Sequence, residues 1–229
     1  MIFEQLERLH DRLLGTFSRY STVDEGHDFS WPNYVFGADT FRRAHLDIVD
    51  ARQTKRLYML HLTVMPNTND PSPIFGFDII AGETKVTGAF HDFSPVGRDH
   101  PLLGWFADRV KNRVWSKQRE LPEWARNIFS SSMVAAGNIQ DSQELANVIE
   151  LVEENLNHYL GQVGGISDDD YTQQQNWYCH NQKKNPHTPR VMEALGLSPA
   201  EVERFIHTCL FPEIEQSERT ERARVLCDV

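Results

Sequence analysis

Cysteine is scarce in this sequence: the 229 residues contain only Cys179, Cys209 and Cys227. Such a sparse, odd and widely spaced set provides neither a disulfide framework nor a thiolate metal site. The ten histidines show none of the spacings HxH, HxxxH or HExxH, so the sequence predicts no bound metal. We therefore expect reduced thiols and a cytoplasmic protein.

Other absences narrow the function further. The sequence has no GxGxxG and no Walker-type loop, so it indicates no nucleotide cofactor. No apolar run approaches the length of a membrane span, and the first residues alternate apolar and charged side chains as an amphipathic helix does. A net charge of −10 disfavours a nucleic-acid binder. An ordinary composition predicts one globular domain over residues 1–229, monomeric by default.

Three apolar runs between residues 57 and 95 form the centre of the chain, LYMLHLTVMP, PIFGFDIIAG and KVTGAFHDFSP. The polar segment NTNDPS separates the first two, which predicts antiparallel neighbours. Two ionisable residues interrupt them, His61 and Asp78, and their side chains would share one face of the sheet. Gly76 lies two residues before Asp78 and would leave room for a flat ligand. A histidine or aspartate in a strand is more often a surface or satisfied core residue, so the pairing alone does not establish a site.

The remaining elements follow from periodicity and capping signals. The sequence predicts strands near residues 34–36, at 42–49 and ending near Gly137, which with the central runs gives an antiparallel meander. It predicts helices at residues 1–20, 102–119, 142–159 with Ser142 as N-cap, 171–184, 190–195 closed by Gly196, and 199–210 with Ser198 as N-cap. Residues 213–229 are predicted to be a flexible tail.

Five cations lie within eleven residues of this acidic chain: Arg109, Lys111, Arg113, Lys117 and Arg119. A charge run on a helix usually only solvates the helix. The alternative is a docking patch for an acidic partner, since a concentrated basic patch on an acidic protein is unusual. Both interpretations remain open from the sequence.

Four segments carry a resemblance to a known family: FRRAHLD (41–47), HLTVMP with PIFGFD (61–78), RELPEW with NIFS (119–130), and NWYCHNQKKNPHTPRVMEALG (176–196). In this order the chain resembles the ferredoxin-dependent bilin reductases, most closely the phycocyanobilin-forming members and their phage-encoded, phycoerythrobilin-forming relatives. The resemblance implies an α/β fold, a three-layer α/β/α sandwich with a central antiparallel sheet. It also implies reduction of biliverdin IXα, bound between the sheet and the C-terminal helices, by reduced ferredoxin without a permanently bound cofactor.

The resemblance also implies catalytic residues. Asp78 matches the family's central proton-donating aspartate, and His61 matches its histidine partner. Asp47 stands where phycocyanobilin-forming members have a glutamate that protonates the D-ring vinyl group, and a side chain one methylene shorter can miss that reach. Asp92, in FHDFSP, looks equally catalytic but corresponds to a structural acid.

For substrate binding the resemblance indicates Arg119, Thr87 and His187 near the propionates, together with His45 and Asn185. Phycoerythrobilin-forming members often carry a further aspartate where Pro186 stands here, so the second proton source stays unassigned. The ferredoxin-docking residues would be Arg109, Lys111, Arg113 and Lys117.

Three hypotheses follow from the sequence. The first is four-electron reduction of biliverdin IXα to phycoerythrobilin via 15,16-dihydrobiliverdin. The second is the same chemistry ending at phycocyanobilin, which requires Asp47 to reach the D-ring vinyl group. The third is a bilin carrier without catalysis, which would need neither proton donors nor a basic docking patch.

Overall fold

The computed structural model of the protein describes residues 1–97 and 99–215. Its strands are β1 (Ser21–Thr22), β2 (Asn33–Ala38), β3 (Phe41–Ala51), β4 (Leu57–Pro66), β5 (Ile74–Gly82), β6 (Val86–Ser94) and β7 (Val134–Ala136). Its helices are α1 (Ile2–Phe17), α2 (Arg52–Lys55), α3 (Pro101–Val110), α4 (Glu123–Arg126), α5 (Ser142–Leu160), α6 (Thr172–Gln182), α7 (His187–Ala194) and α8 (Pro199–Arg204), which continues into a π-helix (Phe205–Leu210).

The seven strands form one antiparallel sheet in which the spatial order is the chain order, β1 to β7. Each strand pairs with the next one along the chain, so the sheet is a meander joined by short connections through β6. The alternating apolar runs and polar turns between residues 57 and 95 predicted this arrangement. The expected three-layer fold with a central antiparallel sheet is confirmed.

The first helical layer consists of α1, α3 and α5. Helix α1 buries a stripe at spacings of three and four residues, the pattern of an amphipathic helix, made of Leu6, Leu9, Leu13 and Phe17. Helix α5 buries a similar stripe that includes Val148, Val152 and Leu156. These side chains pack with one face of the sheet into a single apolar core, so this side of the sheet is closed.

The second layer, formed by α6, α7, α8 and the π-helix, covers the other face. Its apolar cluster includes Met59 and Ile74 from the sheet and Phe205 and Leu210 from the π-helix. This face of the sheet differs from the first because it also carries buried polar side chains, among them His45 and Asp47. Buried polar groups cost free energy of folding unless they are hydrogen-bonded, so this interface is the candidate location of a functional site.

The predicted helix over residues 102–119 is too long, because α3 ends at Val110. Beyond it the chain runs beside β7: the amide of Arg119 donates to the carbonyl of Ala135, and the amide of Gly137 donates to that of Lys117. This pairing satisfies backbone groups at the edge of the sheet that a continued helix would leave open. Arg119 therefore lies on an extended edge segment and not on a basic helix.

Capping was predicted correctly at one helix and wrongly at another. Ser198 caps α8, with its hydroxyl and the Glu201 side chain forming a capping box. Helix α5 is capped by Asp141 and not by Ser142, because the Asp141 carboxylate accepts hydrogen bonds from the amides of Gln143 and Glu144. An ionised carboxylate also interacts favourably with the positive end of the helix dipole.

The predicted last helix changes type at Phe205, where a π-helix replaces the α-helix up to Leu210. Arg43 of β3 donates to the carbonyl oxygen of Cys209 at 2.8 Å and forms a two-pronged ion pair with Glu25 at 2.7 Å. A π-helix is rare and is found mostly at functional sites. Here the guanidinium ties it to the polar face of the sheet.

The segment predicted as a flexible tail is described only for its first residues. The backbone of Ile214 forms two hydrogen bonds with the Asn176 side chain, and Glu213 forms an ion pair with Lys183 at 2.7 Å. Residues 216–229 lie outside the described part of the chain. Among the helices that the structure describes, none is both long and apolar enough to cross a membrane.

Truncating the stripe of α1 should destabilise the protein. Leu9 is fully buried in the first core, so we expect Leu9→Ala to lower the free energy of unfolding by roughly 2–5 kcal/mol through lost burial and a cavity. Arg8→Ala, at the exposed neighbouring position, should change it by less than about 0.5 kcal/mol. Urea denaturation measures both; equal effects would contradict this packing.

Candidate active site

A row of polar side chains crosses the sheet on the face covered by α6 and α7. Strand pairing places Asp47 of β3 opposite His61 of β4, and His61 opposite Asp78 of β5. Directly opposed side chains in antiparallel strands have Cβ atoms about 4.5–5.5 Å apart. The row continues to Asn33 on one side and to Phe90 on the other. The predicted imidazole–carboxylate pair is therefore present in the register, with a second acid beside it.

This row forms the floor of a cavity of about 390 Å³ between the sheet and the second helical layer. Such a volume is in the range of small-molecule sites. One wall comes from residues 119–125, Phe129 and Met133, and the cover comes from α6, α7 and the segment Leu210 and Phe211. Most of these side chains are apolar or aromatic, so the carboxyl and imidazole groups on the floor are largely removed from bulk water.

Several polar atoms at this site have no hydrogen-bond partner among the described residues. They are Asp47 Oδ1, His61 Nδ1 and the indole nitrogens of Trp31 and Trp124. Trp31 turns its indole N–H toward Asp47 without meeting hydrogen-bond geometry. Unpaired buried polar groups cost free energy, and a ligand that brings its own donors and acceptors into the cavity would remove that cost.

Both acids on the floor hold their protons more tightly than ordinary aspartates. Burial raises the pKa of Asp78 to about 7. Burial also raises the pKa of Asp47 to about 8, against an opposing effect of the Trp31 indole, and the charge of Asp78 adds to the rise. Because each carboxylate disfavours ionisation of the other, the two groups titrate as a pair. Near neutral pH the floor therefore carries protonated carboxyl groups that can act as acids.

The two imidazoles shift in the opposite direction. Burial lowers the pKa of His61 to about 4, with a smaller contribution from the positive charge of Arg43. Burial lowers the pKa of His45 well below its usual range, and Arg43 and His61 lower it further. Both rings are consequently neutral at pH 7. His61 also meets the edge of the Phe211 ring at a centroid distance of 5.8 Å, which restricts its orientation.

Arg119 and Thr87 both line the cavity, at the rim. The Arg119 guanidinium donates to the Thr87 carbonyl oxygen and lies over the Phe90 ring, 5.7 Å from its centroid. Its remaining N–H groups are available for an anionic ligand group. The Thr87 hydroxyl donates to the Ile80 carbonyl at 3.0 Å, so in this arrangement its hydrogen is not available to a carboxylate.

Asn185 and His187 also line the cavity, at the connection between α6 and α7. The Asn185 side-chain oxygen accepts a hydrogen bond from the His187 amide at 3.0 Å, and its amide nitrogen donates to no described residue and is available to a ligand. Gln182, at the end of α6, lines the cavity as well. The sequence analysis did not single out Gln182, and its only signal there is its position three residues before Asn185.

His45 is not among the residues that line the cavity. It is fully buried beside the floor, where Nε2 lies 3.0 Å from the Asn33 side-chain oxygen and 3.5 Å from the Cys209 sulfur. Its ring centroid is 6.0 Å from that of His61, so any effect on a ligand would pass through a neighbouring side chain.

Asp92 is a structural acid, as expected. Its carboxylate accepts hydrogen bonds from the backbone amide and hydroxyl of Ser130 and from the Ser94 hydroxyl. It does not line the cavity. These bonds fix the loop that follows α4, which carries Phe129 and Met133 in the cavity wall.

The predicted docking cations lie around a second, shallower feature. Lys111 and Arg113 line a surface groove of about 500 Å³ with Trp115 and Met133. Arg109 is already paired with Glu154 at 3.3 Å and covers the Trp105 ring. Lys111 and Lys117 are exposed and form no ion pair with a described residue. Met133 lines both the groove and the cavity, so the two are neighbours.

Among the described residues, no three histidine, cysteine, aspartate or glutamate side chains are grouped as a metal site would require. The buried row on the floor consists of one imidazole between two acids, and its ligating atoms are held in protonated or neutral states by their surroundings. The floor therefore presents groups that can donate or accept protons near neutral pH.

Comparison with known proteins agrees with this geometry. A family model described as ferredoxin-dependent bilin reductase matches residues 5–212. Phycocyanobilin:ferredoxin oxidoreductase of Synechococcus sp. (strain CC9605) is 30% identical over 203 residues, which cover 82% of this chain and 78% of that protein. The chain belongs to the ferredoxin-dependent bilin reductase family, and it is an oxidoreductase.

Solved structures give the same result. A structure of a protein named PcyX shares 30% sequence identity with this chain and has a TM-score of 0.62. The match covers 92% of this chain and 99% of that one. Phytochromobilin synthase from tomato, solved in complex with biliverdin, has a TM-score of 0.72 at 14% identity, over 90% of this chain and 82% of that one. The second likeness shows the common fold.

The raised pKa values of the two acids predict how stability depends on pH. Unfolded aspartates ionise near pH 3.9, whereas the folded state keeps protons on Asp47 and Asp78 up to pH 7–8. The folded state therefore binds more protons, and the free energy of unfolding should fall as the pH rises from 6.5 to 8, on the order of 1 kcal/mol per unit. Histidines with lowered pKa values act in the opposite direction, but mainly below pH 6.5.

Urea denaturation of the ligand-free protein at several pH values measures this slope. Asp78→Asn should flatten it, because one of the two titrating groups is gone. Asp39→Asn, at an exposed turn, is the matched control and should keep it. A wild-type slope that survives Asp78→Asn would contradict the raised pKa of Asp78.

Proposed function

We propose that this protein reduces biliverdin IXα to phycoerythrobilin via 15,16-dihydrobiliverdin, with reduced ferredoxin as the electron donor. The observation that carries the proposal is the row Asp47–His61–Asp78 on the floor of an apolar cavity, where burial raises the pKa values of the two acids to about 8 and about 7. Family membership supplies the reaction class, and the row supplies protons where a bilin would lie.

The chemistry requires protons as much as electrons. Each of the two reductions adds two electrons, delivered singly by two reduced ferredoxins, and two protons to the conjugated system. After the first electron the pigment is a radical anion, which is stabilised when it takes a proton from a nearby acid. Asp78 keeps a proton in about half of the molecules at pH 7, because burial raises its pKa to about 7, and it is suited to donate that proton. The neutral His61 imidazole beside it can pass on or accept a proton in turn.

Asp47 is the second acid in the cavity and is proposed as the second proton source. Its carboxyl group lines the cavity, whereas His45 does not. A glutamate at this position would extend one methylene further toward a ring substituent, and a shortfall of about 1 Å can cost on the order of a hundredfold in rate. Asp47 therefore favours reduction of the methine bridge and then of the A-ring diene over reduction of the D-ring vinyl group.

The cavity rim supplies partners for the two propionates. Arg119 offers free N–H groups of a planar guanidinium, which can bind a carboxylate in a two-pronged fashion. His187 and the Asn185 amide nitrogen lie on the opposite side of the same cavity. We assign propionate binding to this rim, with Arg119 as the stronger partner because it is always charged.

Ferredoxin docking is proposed at the groove beside the basic segment. Lys111, Arg113 and Lys117 lie within three residues of Val114 in the chain, and Val114 is 89% exposed. An exposed apolar residue in a basic segment fits an acidic protein partner. Met133 lines both this groove and the cavity, so an electron donor bound there would be close to the pigment. Arg109 contributes less, because Glu154 already neutralises it.

The product decides between the three hypotheses. We expect anaerobic incubation with biliverdin, ferredoxin, ferredoxin reductase and NADPH to give a red-violet pigment that chromatographs with phycoerythrobilin. A blue pigment that chromatographs with phycocyanobilin would contradict the proposed product but keep the reaction class. Unchanged biliverdin would contradict catalysis and favour a carrier.

Removing the proposed acid should stop turnover without removing the site. Asp78→Asn is isosteric but has no proton to give, so we expect turnover to fall at least about a hundredfold while biliverdin still binds. Single-turnover absorption spectra should show a radical that forms and persists. Asp39→Asn, far along the chain at an exposed turn, should keep normal turnover. Normal turnover by Asp78→Asn would refute its role.

Charge reversal tests the docking groove. Lys111→Glu/Lys117→Glu should raise the KM for ferredoxin about tenfold or more at low ionic strength and weaken its salt dependence, with kcat at saturating ferredoxin nearly unchanged. Arg8→Glu/Lys55→Glu makes the same change in net charge at exposed positions elsewhere. Equal effects of the two pairs would show that only net charge matters and would contradict a local docking site.

A further inference from the structure

A chain of polar side chains runs from Asp92, behind the cavity, to Gln182, in the cavity. It begins at the Asp92 carboxylate, which accepts hydrogen bonds from the Ser130 amide at 2.9 Å and from the Ser94 hydroxyl at 2.8 Å. The Ser130 hydroxyl donates to it as well. Burial raises the pKa of Asp92 only to about 6, against these three donors. At neutral pH it is therefore a carboxylate that can only accept.

The next link is Tyr178 of α6. Its hydroxyl group lies in the space above Gly76, where a Cβ would be 3.5 Å from the phenolic oxygen, so Tyr178 and not a ligand fills the room that this glycine leaves. Burial raises the pKa of Tyr178 above its usual range, and the Gln182 and Ser94 side chains that contact its hydroxyl oppose that rise. The Tyr178 hydroxyl thus lies between Ser94 and Gln182.

Asp92 sets the direction of the hydrogen bond that Ser94 makes. Ser94 has one hydroxyl hydrogen and gives it to Asp92, so toward Tyr178 its oxygen can only accept. The Tyr178 oxygen accepts a hydrogen bond from Nε2 of Gln182 at 2.8 Å. Tyr178 and Gln182 are four residues apart on α6, which places them on one face of the helix.

The Gln182 amide nitrogen is bound to Tyr178, and the carboxamide oxygen accepts no hydrogen bond from a described residue. Gln182 is 9% exposed and lines the cavity. A bilin carries pyrrole and lactam N–H groups, which are hydrogen-bond donors. The Tyr178 hydroxyl thus holds the Gln182 carboxamide in place, and the carboxamide oxygen can accept a hydrogen bond from them.

We infer that Gln182 is a substrate-binding residue whose carboxamide oxygen accepts a hydrogen bond from a bilin N–H group, with Tyr178 and Ser94 as positioning residues anchored at Asp92. The inference rests on the proposed function, because it assigns a role in binding that same pigment. It gives Asp92, which looks catalytic in the sequence, the role of fixing which way the Ser94 hydroxyl donates. Asp92 is then not a proton donor.

Binding and spectra of the pigment test this inference without turnover. Gln182→Leu removes the acceptor at similar volume, so we expect the Kd for biliverdin to rise about tenfold and the absorption maximum of the bound pigment to shift. Gln174→Leu, at an exposed position on the same helix, is the matched control and should change neither the Kd nor the spectrum.

The positioning residues give a second test. In Ser94→Ala the Tyr178 hydroxyl is free to donate to the Gln182 oxygen, which turns the amide nitrogen toward the pigment. We expect a Kd raised a few-fold and a spectral shift at saturating biliverdin, and Tyr178→Phe should change both in the same direction. A purely structural role would alter the melting temperature but leave the spectrum of the saturated, folded protein unchanged.

The outcomes are separable. If the wild-type protein neither binds nor reduces biliverdin, the proposed function fails. If it binds, and Gln182→Leu gives the wild-type Kd and spectrum, the inference about Gln182 fails while the proposed function stands. Circular dichroism checks the fold of each variant; if Gln182→Leu does not fold, the spectra of Ser94→Ala and Tyr178→Phe decide, and two unshifted spectra overturn the inference.

Discussion

The register of three antiparallel strands is the constraint on which the site depends. It sets Asp47, His61 and Asp78 side by side on one face of the sheet, and a slip of one residue would turn one of them toward the opposite core. That opposite core is closely packed by α1, α3 and α5 around residues such as Phe75 and Phe93. Packing of the apolar face therefore fixes the register of the strands. The register in turn fixes three polar groups at buried positions that would otherwise be unfavourable for them. The packed core and the candidate active site thus lie on opposite faces of the same strands.

The protonation states of the site follow from burial more than from ion pairing. Desolvation disfavours every charged form, so it raises the pKa of both acids and lowers that of both imidazoles. The floor thus stores exchangeable protons while carrying little net charge. Such a floor suits a substrate that becomes negative only after each electron arrives, because the attraction for the proton appears with the electron. The positive charge of Arg43 is balanced by Glu25 nearby, and its remaining effect is to keep the imidazoles neutral.

Much of this arrangement could be predicted from the sequence, for local reasons. Strands β3 to β6 show apolar alternation and short polar turns, so their order and the pairing of His61 with Asp78 followed. The helix over 102–119 was wrong because its periodicity continues past Val110, whereas the backbone is drawn to the free edge beside β7, which no local pattern shows. His45 shares a strand with Asp47 and was expected in the cavity, but its partners Asn33 and Cys209 come from distant segments. Gln182 had no local signal, since its orientation depends on Ser94 and Asp92, about ninety residues earlier in the chain.

The π-helix from Phe205 to Leu210 has a consequence for comparing members of this family. A π-turn holds one residue more than an α-turn, so everything after it is rotated by about 100° around the helix axis relative to a regular continuation. Phe211, whose ring edge faces His61, comes directly after that extra residue. A homologue that lacks the insertion would present a different side chain to the imidazole even where the aligned letters agree. An alignment of this chain with such a homologue would need a one-residue gap in this segment to match the residues that cover the cavity.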